Sequence, residues 1–396
     1  MSNDIFPVFK IIEKSRCTGC ECCVNVCPKQ CITMEPNEEG FLYPTFDESM
    51  CVNCQLCSQR CPVINAVEKK DIKYECYTGF AKSKEIVNSS ASGGMFSLLV
   101  DEFLKISEGN GYVSGVVWND NFKKTVHIVT DDINQIYKMR SSKYIQSYKG
   151  SAFKKIKELL EYDKYVMFSG TPCECAGLKS YLNKDYNKLF IVDLVCQGPT
   201  TPLAMDQFID HISKKNKYII KSIDMRHVYK TPWIPQWIKI EFENRCSFVK
   251  LFYETAIGRA VHIMQRMSCY SCQFNGNRRA SDITIGDHHG AKIDDPCYNP
   301  YGTSIIIINS KKGNELVSGL KKHAELLQVS YSSLLEKNPR INSAGKEPSK
   351  RREFSQSIIN DGVIIAAKGS WSVRERIRIR LPYSIRMTVR KLRKKI

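Results

Sequence analysis

The chain has 396 residues, 42% of them hydrophobic, and a formal net charge of +18. That length suggests two or three domains with a real core; no apolar run of about 18 residues is present to cross a bilayer, and the opening MSNDIFPVFKIIEKSR lacks the basic start, apolar run and cleavage site of a secretory signal. A cytoplasmic protein is therefore expected, whose 18 cysteines read as metal ligands before disulfides and whose charge calls for an acidic partner such as nucleic acid, anionic lipid or an acidic electron carrier.

The first motif is a doubled cysteine run. Cys17, Cys20, Cys23 and Cys27 follow C-x2-C-x2-C-x3-C with Pro28 next, and Cys51, Cys54, Cys57 and Cys61 repeat it with Pro62 next. Such matching indicates an internal duplication. A 4Fe–4S cube needs four thiolates, and in two-cluster ferredoxins the fourth cysteine of each run serves the other cluster. Cys17, Cys20, Cys23 and Cys61 are thus assigned to one cluster, and Cys51, Cys54, Cys57 and Cys27 to the second. Zinc knuckles or a disulfide framework are the competing readings. Cys22 and Cys31 fall outside the pattern and are expected to be small buried residues. A ferredoxin-like domain is expected over 1–66, then a polar linker near 64–72.

The fold class expected is α+β or mixed α/β, with the small domain followed by a larger α/β domain over 73–355 and a basic extension over 356–396. YTGFAKS reads as a strand, SSASGG as a turn, and MFSLLVDEFLKI as an amphipathic helix. GYVSGVVWND and TVHIVT read as paired strands and KGSAFKKIKELLEY as a helix. YVMFSG is a buried strand running into the helix start TPCECAGLKSYL. KLFIVDLVCQG is a second buried strand ending at a cysteine, and ASDITIGD and SIIIINS add later strands. The Ser92-Gly93-Gly94 turn leaves two readings open, a phosphate- or flavin-binding helix start and a structural tight turn. Neither G-x-G-x-x-G nor a Walker A sequence occurs.

SSASGGMFSLL (89–99), SSKYIQS (141–147), SGTPCECAGLKSYL (169–182), DLVCQGPTTP (193–202), RMSCYSCQFNGNRRASDITIGD (266–287), GTSIIIINSKKG (302–313), and NP (338–339) ahead of KRREF (350–354), in that order, resemble the β subunit family of coenzyme F₄₂₀ hydrogenases and dehydrogenases. The resemblance implies a flavin, usually FAD with FMN as the alternative, near an iron–sulfur cluster. It implies that Ser90, Ser92, Gly93, Gly94, Lys143, Thr171 and Pro172 lie at the flavin. A third 4Fe–4S cluster is expected at Cys173, Cys196, Cys269 and Cys272, with zinc or free thiols as competing readings and Cys175 as an alternative ligand. Gln197 stands where the family commonly has His. His288 and His289 are the candidate catalytic proton donors, with structural hydrogen bonding as the competing reading. Cys76, Cys246 and Cys297 are expected to be structural.

The function expected is an iron–sulfur flavoprotein oxidoreductase whose partners are ferredoxin or another redox protein and an organic substrate. The alternatives are an F₄₂₀-specific enzyme and a non-catalytic electron-transfer subunit. Residues 372–396 carry ten Lys or Arg against one Glu, interleaved with Ile, Leu, Val and Met. Peripheral contact with an anionic membrane is expected there, with a disordered tail or an RNA-binding arm as competing readings; nucleic acid is disfavoured because no reading module accompanies the tail.

Overall fold

The computed structural model describes residues 6–66, 68, 73–229, 232–381, 383, 385 and 386. Residues 67 and 69–72 of the expected linker, and residues 382, 384 and 387–396 of the basic tail, lie outside the described residues.

The N-terminal region holds an antiparallel hairpin of β1 (Ile32–Pro36) and β2 (Leu42–Phe46), with Ile32 opposite Phe46. Short helices Cys22–Val26 and Leu56–Gln59 lie inside the two cysteine runs. Left-handed residues precede both: Gly19 (φ 67) and Glu21 (φ 62) in the first run, Asn53 (φ 51) and Gln55 (φ 60) in the second. The duplication read from the cysteines therefore extends to the backbone, because left-handed positions reverse a short loop tightly.

The larger region is built on a nine-stranded mixed sheet. Its strands are β3 (Glu75–Ala81), β4 (Gly111–Trp118), β5 (Thr125–Thr130), β6 (Ser147–Tyr148), β7 (Tyr165–Gly170) and β8 (Leu189–Leu194), then, after the insertion described next, β12 (Ile283–Asp287), β13 (Ser304–Ile308) and β14 (Ala324–Val329). The order is β14-β3-β13-β12-β8-β7-β4-β5-β6. The central strands are buried on both faces, which is why they read as continuous apolar runs. Val166, Phe168, Leu189 and Ile191 join Ala152, Phe153, Ile156, Ala176 and Leu178 of helices Ala152–Glu161 and Pro172–Leu182 in one core. Met167, Phe190 and Val192 join Leu98, Leu99, Phe103, Leu316 and Val317 of helices Met95–Ile106 and Lys311–Leu320 in another.

An insertion carries β9 (Ile220–His227), β10 (Trp237–Phe242) and β11 (Ser247–Leu251), an antiparallel three-stranded sheet. It packs with helices Pro202–Asn216, Ala256–Ile263, Arg351–Asp361 and Val363–Ser370 around Phe208, Ile238, Ile240, Ile257 and Ile358. Helix Arg351–Asp361 runs through the expected boundary at 355/356, because Phe354 and Ile358, one turn apart, are both buried. Residues 356–370 thus belong to this unit, and the basic segment begins beyond Trp371.

Strands β7, β8 and β12 are parallel neighbours, and β3 runs in their direction because β13 is antiparallel to both β12 and β3. Residues 82–94, 171–173, 195–198 and 288–289 therefore leave the sheet at one edge. Carboxyl ends of parallel strands are where α/β sheets place their ligand sites.

Candidate metal centres

The N-terminal thiols gather as two sets. Burial pushes the Cys23 thiol well above its ordinary value, and Cys20, Cys17, Cys22 and Cys61 push it further; Cys20 is raised by burial and by Cys22, Cys61 and Cys17. Cys27, Cys51, Cys54 and Cys57 line one cavity together with Cys31, Phe6 and Phe46. Cys22 and Cys31 are both buried; Cys22 donates to the Arg60 carbonyl (3.1 Å), and Cys31 lies 3.4 Å from the Cys27 sulfur.

A second gathering has no local motif. Cys173 opens helix Pro172–Leu182, Cys196 follows β8, and Cys269 and Cys272 come from the turn at 267–272. The Cys173 thiol is pushed up to about 12 by burial, then by Glu174 and Cys272. Burial raises Cys196 well above its usual value, with Cys269, Cys173 and Cys272 adding to it. Glycine at 198 (φ +100) is required here, since a Cβ would lie 2.9 Å from the Cys269 sulfur. Cys175 faces away: it is fully buried, with its thiol on the Gly170 carbonyl at 3.7 Å.

Thiols that raise one another's pKa stay protonated as a bare set, and iron in their midst reverses this because ligation takes the thiolate. Among the described residues, no three Cys, His, Asp or Glu side chains converge on a single-ion position.

Buried charges tie the first loop to the third cysteine set. Lys149 Nζ donates to Glu174 Oε1 (2.7 Å), Ser147 O (2.8 Å) and Gly19 O (3.2 Å). Glu21 accepts from the backbone N–H of Lys149 and of Gly150, both at 3.0 Å. Burial would raise the Glu174 carboxyl, but Lys149 and then His127 outweigh it and hold it at about 2. Burial lowers His127 to about 4, so it is neutral here. Gly177 lies against Cys20: a Cβ there would be 3.1 Å from the Cys20 sulfur. Arg266, 1% exposed, donates to the carbonyls of Cys17 (2.6 Å) and Leu42 (2.8 Å) and stacks on Tyr43, while its own carbonyl accepts from Cys269 N–H. Behind the third set, Asp193 and Arg279 form a buried pair at 2.9 Å.

The residues expected at a flavin are largely turned inward. Ser90 donates to Ile86 O (2.6 Å) and Ser92 to Thr303 O (2.8 Å), while Gly93 N–H donates to Ser304 Oγ (2.8 Å). Glycine at 93 is required by packing, since a Cβ would meet Gly79 O at 2.5 Å; Gly94 (φ +88) precedes helix Met95–Ile106. The turn is thus a structural one in its own right. Lys143 Nζ lies within 2.7–3.2 Å of the carbonyls of Lys138, Met139, Arg140 and Ser141, at the end of helix Ile133–Lys138. Burial lowers its pKa to about 7. Thr171 gives its backbone N–H to Glu174 (2.8 Å) and its hydroxyl lies 3.3 Å from the Cys173 sulfur, with Pro172 next in the helix. The side-chain donors of Ser90, Ser92 and Lys143 are thus engaged within the fold.

A residue outside every motif joins these segments instead. Arg226 Nη1 donates to Asp287 (2.8 Å) and to the Tyr144 hydroxyl (2.9 Å), and its Nη2 donates to the Ala91 carbonyl (2.6 Å). It therefore ties together the 89–94 turn, the 141–147 segment and the end of β12. Beyond Asp287, His288 Nδ1 is 2.7 Å from Thr78 Oγ1, and burial lowers its pKa; His289 donates its N–H to Asp287 O. Gln197 is exposed, as is Cys246, whereas Cys76 and Cys297 are buried. Lys149, Glu174, Arg226 and Arg266 escape a sequence reading because a charged residue reads as surface until its partner, often more than a hundred positions away, is known.

Residues 16–65 match the model of the 4Fe–4S dicluster domain, and residues 163–332 match that of the C terminus of the coenzyme F420 hydrogenase/dehydrogenase beta subunit. No curated protein matches the sequence. A chain of the F420-reducing [NiFe] hydrogenase complex from Methanosarcina barkeri is similar in structure at 16% identity and a TM-score of 0.44, over 69% of this chain and 95% of that one. Two segments of the chain, in this order, are thus similar to a 4Fe–4S dicluster domain and to the C terminus of the coenzyme F420 hydrogenase/dehydrogenase beta subunit.

Proposed function

We propose that the chain is an iron–sulfur oxidoreductase that relays electrons through three 4Fe–4S clusters to a flavin, which serves an organic substrate. The observation that carries the reading is the contact between Cys20 and Gly177, one helical turn from Cys173. It brings the first ligand set against the helix that opens the third. Cys27, Cys51, Cys54 and Cys57 would hold the outer cluster, Cys17, Cys20, Cys23 and Cys61 the inner one, and Cys173, Cys196, Cys269 and Cys272 the third. Lys149, bonded to Glu174 and to the Gly19 carbonyl, would tie the loops that carry the latter two together. Arg266 is a buried cation hydrogen-bonded to carbonyls, so it favours added negative charge on either side. Ferredoxin or another redox protein would supply the electrons.

A flavin supplies the pairing of single electrons into a hydride. Its support is narrower: three motif segments meet at Arg226, on the sheet edge that also carries Cys173 and Cys196. His288, bonded through Nδ1 to Thr78, would handle the substrate proton at Nε2, with His289 beside it. Coenzyme F₄₂₀ as the organic partner is a second reading, favoured by the family match over 163–332. The test is anaerobic purification, denaturation and chromatography of the released cofactor. About one flavin per chain is expected. A cluster-loaded, folded chain that releases no flavin would refute the flavin step and leave the relay standing.

A further inference from the structure

The basic segment after Trp371 has a two-sided construction that the relay does not use. Helix Val373–Arg380 starts at Ser372, whose N–H donates to Glu375 (2.8 Å) and whose side chain accepts from Glu375 N–H (3.3 Å). One side is fastened to the body. Glu375 faces Arg259 at 3.8 Å, Arg378 and Arg386 both reach the buried Glu254, and the Tyr383 ring meets Trp237 edge-on at 5.1 Å.

The other side is apolar and open. Val373 is 71% exposed, Ile377 59%, Leu381 42% and Ile385 49%. Val373 and Ile377 are one turn apart and form a strip. At about 100° per residue, Arg376 and Arg380 fall on one flank of that strip and Arg374 on the other, while Arg378 reaches back to Glu254. Residues 387–396 add five more Lys or Arg and no acid.

We propose that this face docks the protein on an anionic phospholipid surface. Arginines on both flanks would hydrogen-bond to headgroup phosphates while Val373, Ile377 and Leu381 enter the layer beneath. A polyanion such as RNA would reward the arginines but leave the apolar strip in water. Because Glu375, Arg386 and Tyr383 hold the inner side, the helix needs no rearrangement to present the outer one.

The test is co-sedimentation of the full-length, cluster-loaded protein with vesicles of phosphatidylcholine alone or with about 30% phosphatidylglycerol; the bound fraction should rise at least tenfold with the anionic lipid and fall in about 0.5 M salt. Val373→Glu with Ile377→Glu should lower it about tenfold. Both positions are exposed, and an unchanged melting temperature and cluster absorbance would show that the variant folds. Replacing Arg374, Arg376 and Arg380 by Gln should reduce the salt-sensitive part, with the five cations of 387–396 left in place. Equal binding to neutral and anionic vesicles, an unaltered glutamate variant, or retention on single-stranded RNA with none on vesicles would each overturn the proposal.

Discussion

The thiols of residues 17–61 and those of residues 173–272 are held by different kinds of structure. The first two sets sit on loops around helices of five and four residues, too short to persist alone. The third set is placed by the ends of β7 and β8, an eleven-residue helix and a turn backed by the buried Asp193–Arg279 pair. A ligand set on short loops depends on its metal to stay in place, whereas one at the ends of buried strands is arranged by the core. The two regions then meet at Gly177, Lys149 and Arg266, so short loops are pressed against a rigid body.

Removing iron with a chelator should separate the regions most strongly. Amide exchange in residues 17–27 and 51–61 should accelerate by on the order of a thousandfold, while the amides of β7 and β8 change less than about tenfold. Equal loss in both regions would break the contrast. The contact between them is next. Lys149→Met leaves Glu174 buried without its cation and should cost about 3–5 kcal/mol in chemical denaturation. A cost under about 1 kcal/mol would mean that the network does not bind the regions together.

Gly177→Val drives a methyl-bearing carbon into Cys20. It should cost about 1–3 kcal/mol and lower the iron content by about four per chain, read by melting and metal analysis. The smallest effect concerns the far side of the N-terminal region, where Arg351 grips Glu39 through two 2.8 Å bonds and Ser355 donates a third at 2.6 Å. Burial raises the Glu39 carboxyl, but these partners outweigh it and leave the pKa below its usual 4.5. The stabilisation is thus fully present above about pH 4.5 and is lost as pH falls through the lower, folded-state value. Glu39→Gln should cost about 1–2 kcal/mol at pH 7 and flatten the acid limb of the stability curve.

The same contrast explains what the sequence reveals. The doubled run announces its ligands because they are near neighbours with a fixed spacing, and the strand–turn–helix alternation announces most of the large sheet. Cys269 and Cys272 are legible as a pair, but their meeting with Cys173 and Cys196 follows from sheet order. The insertion is less visible, although the alternation in WIKIEF is a strand signal that becomes β10. Lys143 illustrates the converse case: it reads as a cofactor contact by resemblance or as a solvated surface lysine, and neither reading shows that its Nζ lies against four main-chain carbonyls at the end of a helix. Arg226 carries no motif and joins three of them.

The most direct test of the relay is iron and acid-labile sulfide per chain, measured anaerobically on the natural sequence and on a Cys196→Ala, Cys269→Ala variant. The relay predicts about twelve irons falling to about eight, with the variant's fold and the ferredoxin-type signals retained. About eight irons in both proteins would contradict it, since the third thiol set would then hold no cluster.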